Sequence, residues 1–217
     1  MNTLEGARVA DVVRQLYADA DATQKLLRER LGQLSPQLRA SSASADYRAL
    51  YAQARDIHMP VSPATGTLLY MLARGNGARV LVEFGTSFGL STLHLAAALR
   101  DNGGGQLIGS EFEPSKIAHA HANLERGGLL DLVEIREGDA LETLRELPTQ
   151  VDGLLLDGHK PLYAKVLALV APRLRPGAFI IADNADMCPE YVQAVRAPGS
   201  GYLSIPFADD VELTVRT

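Results

Sequence analysis

The chain has no tryptophan and a single cysteine, Cys188, among its 217 residues. One cysteine cannot form an internal disulfide, which agrees with a reducing compartment. No apolar run is long enough to cross a bilayer, and residues 1–10 lack the basic-then-apolar pattern of a secretory signal. We therefore expect a cytoplasmic protein that has no membrane partner.

Positive charge is also scarce. Lys and Arg number 21 against 26 Asp and Glu, the net charge is −5 at pH 7, and no basic run occurs. A protein that binds a phosphate backbone or an anionic membrane needs clustered positive charge, so we expect no nucleic-acid partner. The apolar share of 47% and the charged share of 22% are those of a globular protein with a full core.

Two motifs that are absent from the sequence exclude further classes of protein. No group of His and Cys residues has the spacing of a zinc site. The full glycine triplet of dinucleotide-binding folds is absent, and Tyr163 and Lys165 lie too close together for the Tyr-x-x-x-Lys of short-chain reductases. Both a zinc protein and a nicotinamide reductase are therefore disfavoured.

What the chain does contain is an alternation of strands and helices from Arg79 onward. This pattern predicts an α/β fold, a doubly wound and mostly parallel sheet of seven strands with helices on both faces. Tyr202–Pro206 and Val211–Arg216 predict a C-terminal antiparallel hairpin. The other predicted strands are 80–84, 106–111, 133–137, 153–157 and 178–182, and the predicted helices start near residues 65, 90, 114, 140, 161 and 190.

The first 57 residues have helical periodicity but no clustered chemistry. We divide the chain into an N-terminal helical extension, 1–57, and a main domain, 58–217. Residues 21–23 predict a break between two helices, Ser35-Pro36 predicts the end of the second, and a third is expected over about 46–56. These helices are expected to cover the main domain or to join two subunits.

The stretch Val80–Thr92 predicts a ligand-binding turn between a buried strand and a helix N-terminus. Gly85 and Gly89 allow a sharp turn, and the free N–H groups of the helix suit an anion. Glu83, at the strand's end, would repel a pyrophosphate but accept from an ammonium group. S-adenosylmethionine has an amino group and a carboxylate but no phosphate, so it fits better than NAD. The alternative is an ordinary strand–helix turn.

The four later strand ends also carry acids. Ligands of doubly wound sheets bind beyond the carboxyl ends of the strands. Glu111 can accept from the ribose hydroxyls of the same cofactor, and Asp139 can accept from its adenine amino group. Each acid could instead cap the helix that follows it.

The last two of these strand ends favour a metal. Asp157, Asp183 and Asn184 supply three hard oxygen ligands, two of them charged. Such ligands favour Mg²⁺, or another divalent cation, with water or substrate in the remaining positions. Taken singly, each acid would more often be a helix cap.

With these pieces the chain resembles the metal-dependent catechol O-methyltransferase and caffeoyl-CoA O-methyltransferase-like family of class I S-adenosylmethionine-dependent O-methyltransferases. The resemblance runs from about Met59 to the C-terminus. The matching motifs are Glu83-Phe84-Gly85-Thr86-Ser87-Phe88-Gly89-Leu90-Ser91, Glu111-Phe112-Glu113-Pro114, Leu156-Asp157-Gly158-His159-Lys160-Pro161-Leu162-Tyr163, Ala182-Asp183-Asn184 and Cys188-Pro189.

The resemblance implies a role for each matching residue. Lys160 is the general base, and Asp157, Asp183 and Asn184 bind the metal. His159, Lys160 and Asn184 are expected to contact the acceptor. The residues expected to bind the cofactor are Met59, Val61, Glu83, Gly85, Ser87, Ser91, Glu111, Asp139 and Asp157.

The implied reaction is Mg²⁺-dependent methyl transfer from S-adenosylmethionine to a hydroxyl of a small, catechol-like or phenylpropanoid acceptor. His159 stands where animal catechol enzymes carry a large aromatic residue, and the chain has no tryptophan to wall a catechol slot. The resemblance also implies a homodimer, joined here through the N-terminal helices. Two alternatives stay open: a metal-independent methyltransferase for a sugar or aliphatic hydroxyl, and a non-catalytic cofactor-binding protein.

Overall fold

The computed structural model describes residues 2–33, 55–208 and 210–217. Within these ranges seven strands form one sheet: β1 (Val80–Phe84), β2 (Gln106–Glu111), β3 (Val133–Glu137), β4 (Val151–Leu156), β5 (Leu174–Ala182), β6 (Tyr202–Pro206) and β7 (Glu212–Arg216). Their order is β3-β2-β1-β4-β5-β7-β6. Strands β1 to β5 run parallel, and β7 pairs antiparallel with both β5 and β6. The predicted sheet with its C-terminal hairpin is confirmed.

Helices cover both faces of this sheet. The α-helices in the described ranges are α1 (Ala7–Gln33), α2 (Pro63–Gly75), α3 (Leu90–Asp101), α4 (Pro114–Gly127), α5 (Ala140–Thr143), α6 (Tyr163–Val170) and α7 (Pro189–Arg196). Local chemistry sets their ends. Ser62 caps α2 by accepting from the Thr65 N–H at 3.0 Å, and left-handed Gly128 ends α4. None of these helices has the length and apolarity needed to cross a membrane.

The core consists of two apolar layers, one on each face of the sheet. Successive side chains of a strand point to opposite faces, so Leu81 enters one layer and Val82 the other. The first layer contains residues of α1, α2 and α3, and the second contains residues of α6 and α7. Because both of their faces are buried, β1 and β4 read as mostly apolar runs, whereas the edge strand β3 is only partly buried and carries charged residues.

The N-terminal helix corrects one prediction. The break expected at residues 21–23 is wrong, because α1 continues from Ala7 to Gln33. Thr23 does not cap a new helix; its hydroxyl donates to the Ala20 carbonyl at 3.1 Å, as threonines inside helices often do. The predicted helix end at Ser35-Pro36 and most of the predicted helix 46–56 lie outside the described residues.

The inner face of α1 belongs to the main core. Val9, Val12 and Leu16 are buried in the first apolar layer, and the helix contacts α3 and α4. The boundary between an extension and a main domain at residue 57 stays a prediction.

Strands β4 and β5 begin earlier than predicted, at Val151 and Leu174. The predicted start of β4 was Gly153, directly after the charged residue Asp152. The Asp152 carboxylate accepts the N–H groups of Arg79 and Val80 at 2.7 and 2.8 Å and pairs with Arg175 near the start of β5. A charged residue is therefore satisfied inside the sheet.

Candidate active site

A cavity of about 590 Å³ lies at the carboxyl ends of β1, β2, β4 and β5. This is the size of a small-molecule site, and it lies where ligands of doubly wound sheets bind. The segment before α2 and the loop between β1 and α3 form two of its walls. The predicted site residues that line it are Met59, Val61, Gly85, Ser87, Glu111, Asp139, Asp157, His159, Lys160, Asp183 and Asn184.

The loop after β1 is held close to its neighbours. Gly85 has φ +100°, and a Cβ there would lie 2.4 Å from the backbone oxygen of Asp157. Only glycine fits such a position. Ser87, with φ +50°, donates its backbone N–H to Glu111 Oε2 at 2.8 Å. The loop therefore joins the ends of β1, β2 and β4 into one rim.

Two predicted cofactor residues lie behind this rim and do not line the main cavity. Glu83 is fully buried, and its carboxylate accepts from the hydroxyls of Ser91 at 2.6 Å and Thr92 at 2.7 Å. Burial raises the pKa of Glu83, against the effect of these hydrogen bonds. Glu83 thus anchors the first turn of α3 in this structure. A direct contact with a cofactor ammonium stays a prediction.

Glu111 and Asp139 both reach the cavity and both hold local structure. Glu111 accepts from the backbone N–H groups of Ser87, Phe112 and Glu113 at 2.8, 2.9 and 3.0 Å. An ionised carboxylate has about four acceptor positions, so these bonds fix its orientation and leave capacity for a ligand. Asp139 caps α5 through a 2.9 Å bond from the Leu141 N–H.

Asp157 and Asp183 stand at the ends of the neighbouring strands β4 and β5. Burial raises the pKa of Asp157 to about 6, against the nearby charge of Lys160. Burial and the charge of Asp157 raise the pKa of Asp183 to about 7. Two carboxylates that disfavour each other's ionisation form a place where a cation is stabilised.

Asn184 completes the donor set at this edge. It has φ +52°, a left-handed conformation that asparagine tolerates better than most residues. Its amide and the two carboxylates are hard oxygen donors of the kind that suits Mg²⁺. Over the described ranges, no group of three or more His, Cys, Asp or Glu side chains is arranged to hold a metal ion. The third candidate donor here is an amide.

Lys160 faces the same edge, and Tyr163 holds it there. Lys160 Nζ donates to Tyr163 Oη at 2.8 Å and lies 3.3 Å from Asp157 Oδ1. The fully buried Tyr163 hydroxyl donates in turn to the Asp183 carbonyl at 2.8 Å. Tyr163 had no predicted role, although residues three apart in a helical turn share a face.

His159 is buried beside Lys160 and lines the cavity. Burial, reinforced by the charge of Lys160, lowers the pKa of His159, so its ring is neutral at pH 7. Tyr17, His58 and Lys116 also line the cavity and were not predicted from the sequence. Each is a lone residue in its segment, with no motif to mark it.

The strand order, the antiparallel β7 and a cavity at the carboxyl ends of the parallel strands define a class I methyltransferase fold. The chain is similar to S-adenosylmethionine-dependent O-methyltransferases of the catechol type, in agreement with the motifs in its sequence.

Three comparisons with known proteins show this similarity. Residues 82–185 match a family model described as a methyltransferase domain. Catechol O-methyltransferases from Niastella koreensis and Mycobacterium tuberculosis are 38% identical over 128 residues and 33% identical over 153 residues. These matches cover 57% and 69% of this chain, and they span less than two thirds of the relatives' lengths, 57% and 64%.

A solved structure agrees with the sequence relatives. The O-methyltransferase TomG from Streptomyces achromogenes, involved in tomaymycin synthesis and solved in complex with S-adenosylmethionine, has a TM-score of 0.67 and 27% identity. The match covers 82% of this chain and 88% of that chain.

Proposed function

We propose that this protein transfers a methyl group from S-adenosylmethionine to a hydroxyl of a small catechol-like or phenylpropanoid acceptor, with Mg²⁺ or another divalent cation bound. The observation that carries this proposal is that Asp157, Lys160, Asp183 and Asn184 line the cavity on the β4–β5 side of β1, with Glu111 and Asp139 on the β2–β3 side. The first group of residues would bind a metal ion and the methyl acceptor, and the second would bind the ribose and adenine of the cofactor.

The polar residues on the β2–β3 side of the cavity fit S-adenosylmethionine. Glu111 is oriented by three backbone N–H groups and is proposed to accept from the ribose hydroxyls. Asp139 is proposed to accept from the adenine amino group while it caps α5. Gly85, Met59 and Val61 line the neighbouring wall and are proposed to contact the methionine part. No phosphate-binding glycine triplet is needed for this ligand.

The residues at the other side fit a divalent cation. Asp157, Asp183 and Asn184 would hold it through oxygen atoms. When bound, it supplies positive charge that favours the ionised form of a phenolic hydroxyl, whose ordinary pKa is about 10. The raised pKa values of Asp157 and Asp183 support this assignment, because a cation would offset the burial of both carboxylates and the repulsion that Asp157 exerts on Asp183.

Side chains of this protein are proposed to accept the proton and to position the acceptor. Lys160 is proposed to accept the hydroxyl proton, and Tyr163 is a positioning residue that directs its amine toward the cavity. His159, neutral and beside Lys160, is proposed to contact the acceptor and to exclude water from the reacting atoms. Holding the acceptor in line with the methyl group supplies much of the expected rate.

The proposed assembly is a homodimer joined through the N-terminal helices. The inner face of α1 is already covered by α3 and α4, so its outer face is the part that a second subunit would meet. Sedimentation of the full chain tests this proposal. A mass near twice 23.3 kDa is expected, and a monomer at all accessible concentrations would contradict it.

A methyl-transfer screen tests the proposed reaction. Catechols, hydroxycinnamates, flavonoids and their CoA esters are offered with S-adenosylmethionine, with Mg²⁺ or with EDTA. Turnover of a vicinal diol that requires Mg²⁺ is expected, as is its loss in Asp183→Asn but not in the exposed neighbour control Asp186→Asn. Undiminished turnover in EDTA favours the metal-independent alternative, and no turnover of any vicinal diol with Mg²⁺ contradicts the proposal.

A further inference from the structure

Lys116 is a buried cation in the cavity wall. It is the third residue of α4, only 5% exposed, and it lines the cavity. Its Nζ lies 5.4 Å from the centroid of the Phe88 ring, and it forms no ion pair with any residue in the described ranges. An ammonium group removed from water is costly unless an anion or a set of acceptors compensates it.

Two other charged residues that line the cavity, Lys160 and Glu111, are already engaged in hydrogen bonds. Lys160 donates to Asp157 and Tyr163, and Glu111 accepts from three backbone N–H groups. Burial lowers the pKa of Lys116, and the charges of Glu111, Glu113 and Asp157 oppose that effect. The nearby acids thus favour the ammonium form of Lys116 without being paired to it.

The position of Lys116 points to one part of the cofactor. Phe88 follows Ser87 in the loop after β1, and His58 stacks on the Phe88 ring with centroids 3.7 Å apart. Lys116 reaches from the N-terminus of α4 toward this loop, next to Glu111, where the ribose is proposed to bind. Adenine is proposed to bind at Asp139, after β3, on the opposite side of β2 from the loop after β1. The part of S-adenosylmethionine directed toward that loop would therefore be its amino-acid end, which carries the carboxylate.

We propose that Lys116 binds the carboxylate of S-adenosylmethionine, in an anion subsite walled by Phe88 and His58. This inference rests on the proposed cofactor. With this subsite, tight binding requires the carboxylate. The protein would therefore bind the methyl donor more tightly than adenosine derivatives that lack a carboxylate. Lys116 is therefore a specificity-determining residue for the cofactor and takes no part in proton transfer.

Calorimetry with a matched pair of ligands tests the assignment without turnover. The ligands are S-adenosylhomocysteine and S-adenosyl-3-thiopropylamine, which differs from it only in lacking the carboxylate. A hydrogen-bonded charge pair corresponds to a difference of about 10- to 100-fold, so the wild type is expected to prefer the carboxylate ligand by that factor. Lys116→Met is expected to lose this preference by weakening S-adenosylhomocysteine alone, and Lys116→Arg to keep part of it.

Lys165→Met is the matched control, because Lys165 is exposed on α6 and does not line the cavity. Equal weakening of both ligands in Lys116→Met would show that Lys116 only shapes the pocket and would overturn the assignment. An unchanged cofactor preference with a raised KM for an anionic acceptor would also overturn it. If Lys116→Met does not fold, a wild-type preference below about twofold would overturn the assignment on its own. Failure of the wild type to bind either ligand would instead refute the proposed cofactor.

Discussion

The paired carboxylates at the ends of β4 and β5 predict that Mg²⁺ binding releases protons. Without metal the pKa of Asp157 is about 6 and that of Asp183 about 7. At pH 6.5 the pair therefore holds about one proton, and at pH 8 about 0.1. Mg²⁺ binds the ionised carboxylates, so each proton held before binding must leave.

The release is measured by titrating Mg²⁺ into the protein in two buffers of different ionisation enthalpy. We expect about one proton released at pH 6.5 and about 0.1 at pH 8, and by linkage the Mg²⁺ affinity rises about tenfold per pH unit near pH 6.5. Asp186→Asn should change the proton release only slightly, because Asp186 is exposed and its charge is the smallest of the contributions that raise the pKa of Asp183. Equal proton release at the two pH values would refute the assignment of Asp157 and Asp183 as the ligands.

Three substitutions test the scaffold around the site. Gly85→Ala places a Cβ 2.4 Å from a neighbouring backbone oxygen at φ +100°, so we expect a loss of about 1–3 kcal/mol in unfolding free energy and weaker S-adenosylhomocysteine binding. Gly75→Ala, with nothing within 4 Å, is the control, and equal effects of the two changes in calorimetry and denaturation would contradict the loop geometry. Tyr163→Phe removes the acceptor that orients Lys160 and should lower kcat about 10-fold with little change in KM, measured by steady-state kinetics; an unchanged kcat would exclude Tyr163 as a positioning residue. Leu16→Ala should lose about 2–5 kcal/mol in denaturant unfolding because Leu16 is 3% exposed, whereas Met71→Ala, 61% exposed, should change little; a neutral Leu16→Ala would show that α1 is not part of the core.

The central sheet could be predicted because its signals are local. Strands β1, β2 and β3 have the predicted bounds to the residue. The first two are largely buried runs, and β3 is a partly buried strand in which apolar and charged residues alternate. The first residues of β4 and β5 were missed because Asp152 and Arg175 satisfy each other across the two strands. A charged pair of that kind is visible only once the strands are neighbours. The break predicted in α1 failed because Thr23 suits a helix interior as well as a cap.

For the site, the identity of the strand-end residues could be predicted from the sequence, but the directions of their side chains could not. The acids at the strand ends could be predicted because parallel strands bring their carboxyl ends to one edge. The orientation of each side chain could not, and so Glu83, placed by its motif in the cofactor site, points to Ser91 and Thr92 behind the loop. Lys116 has no motif, and its place in the cavity wall depends on how α4 packs beside Phe88.

The most direct test of the central claim is methyl transfer from labelled S-adenosylmethionine to a catechol by protein stripped of metal. We predict no labelled product until Mg²⁺ is restored, full recovery on its addition, and no recovery in Asp183→Asn, in which one proposed ligand has lost its charge. The same rate in EDTA and in Mg²⁺, or full recovery in Asp183→Asn, would contradict the proposed metal-assisted reaction.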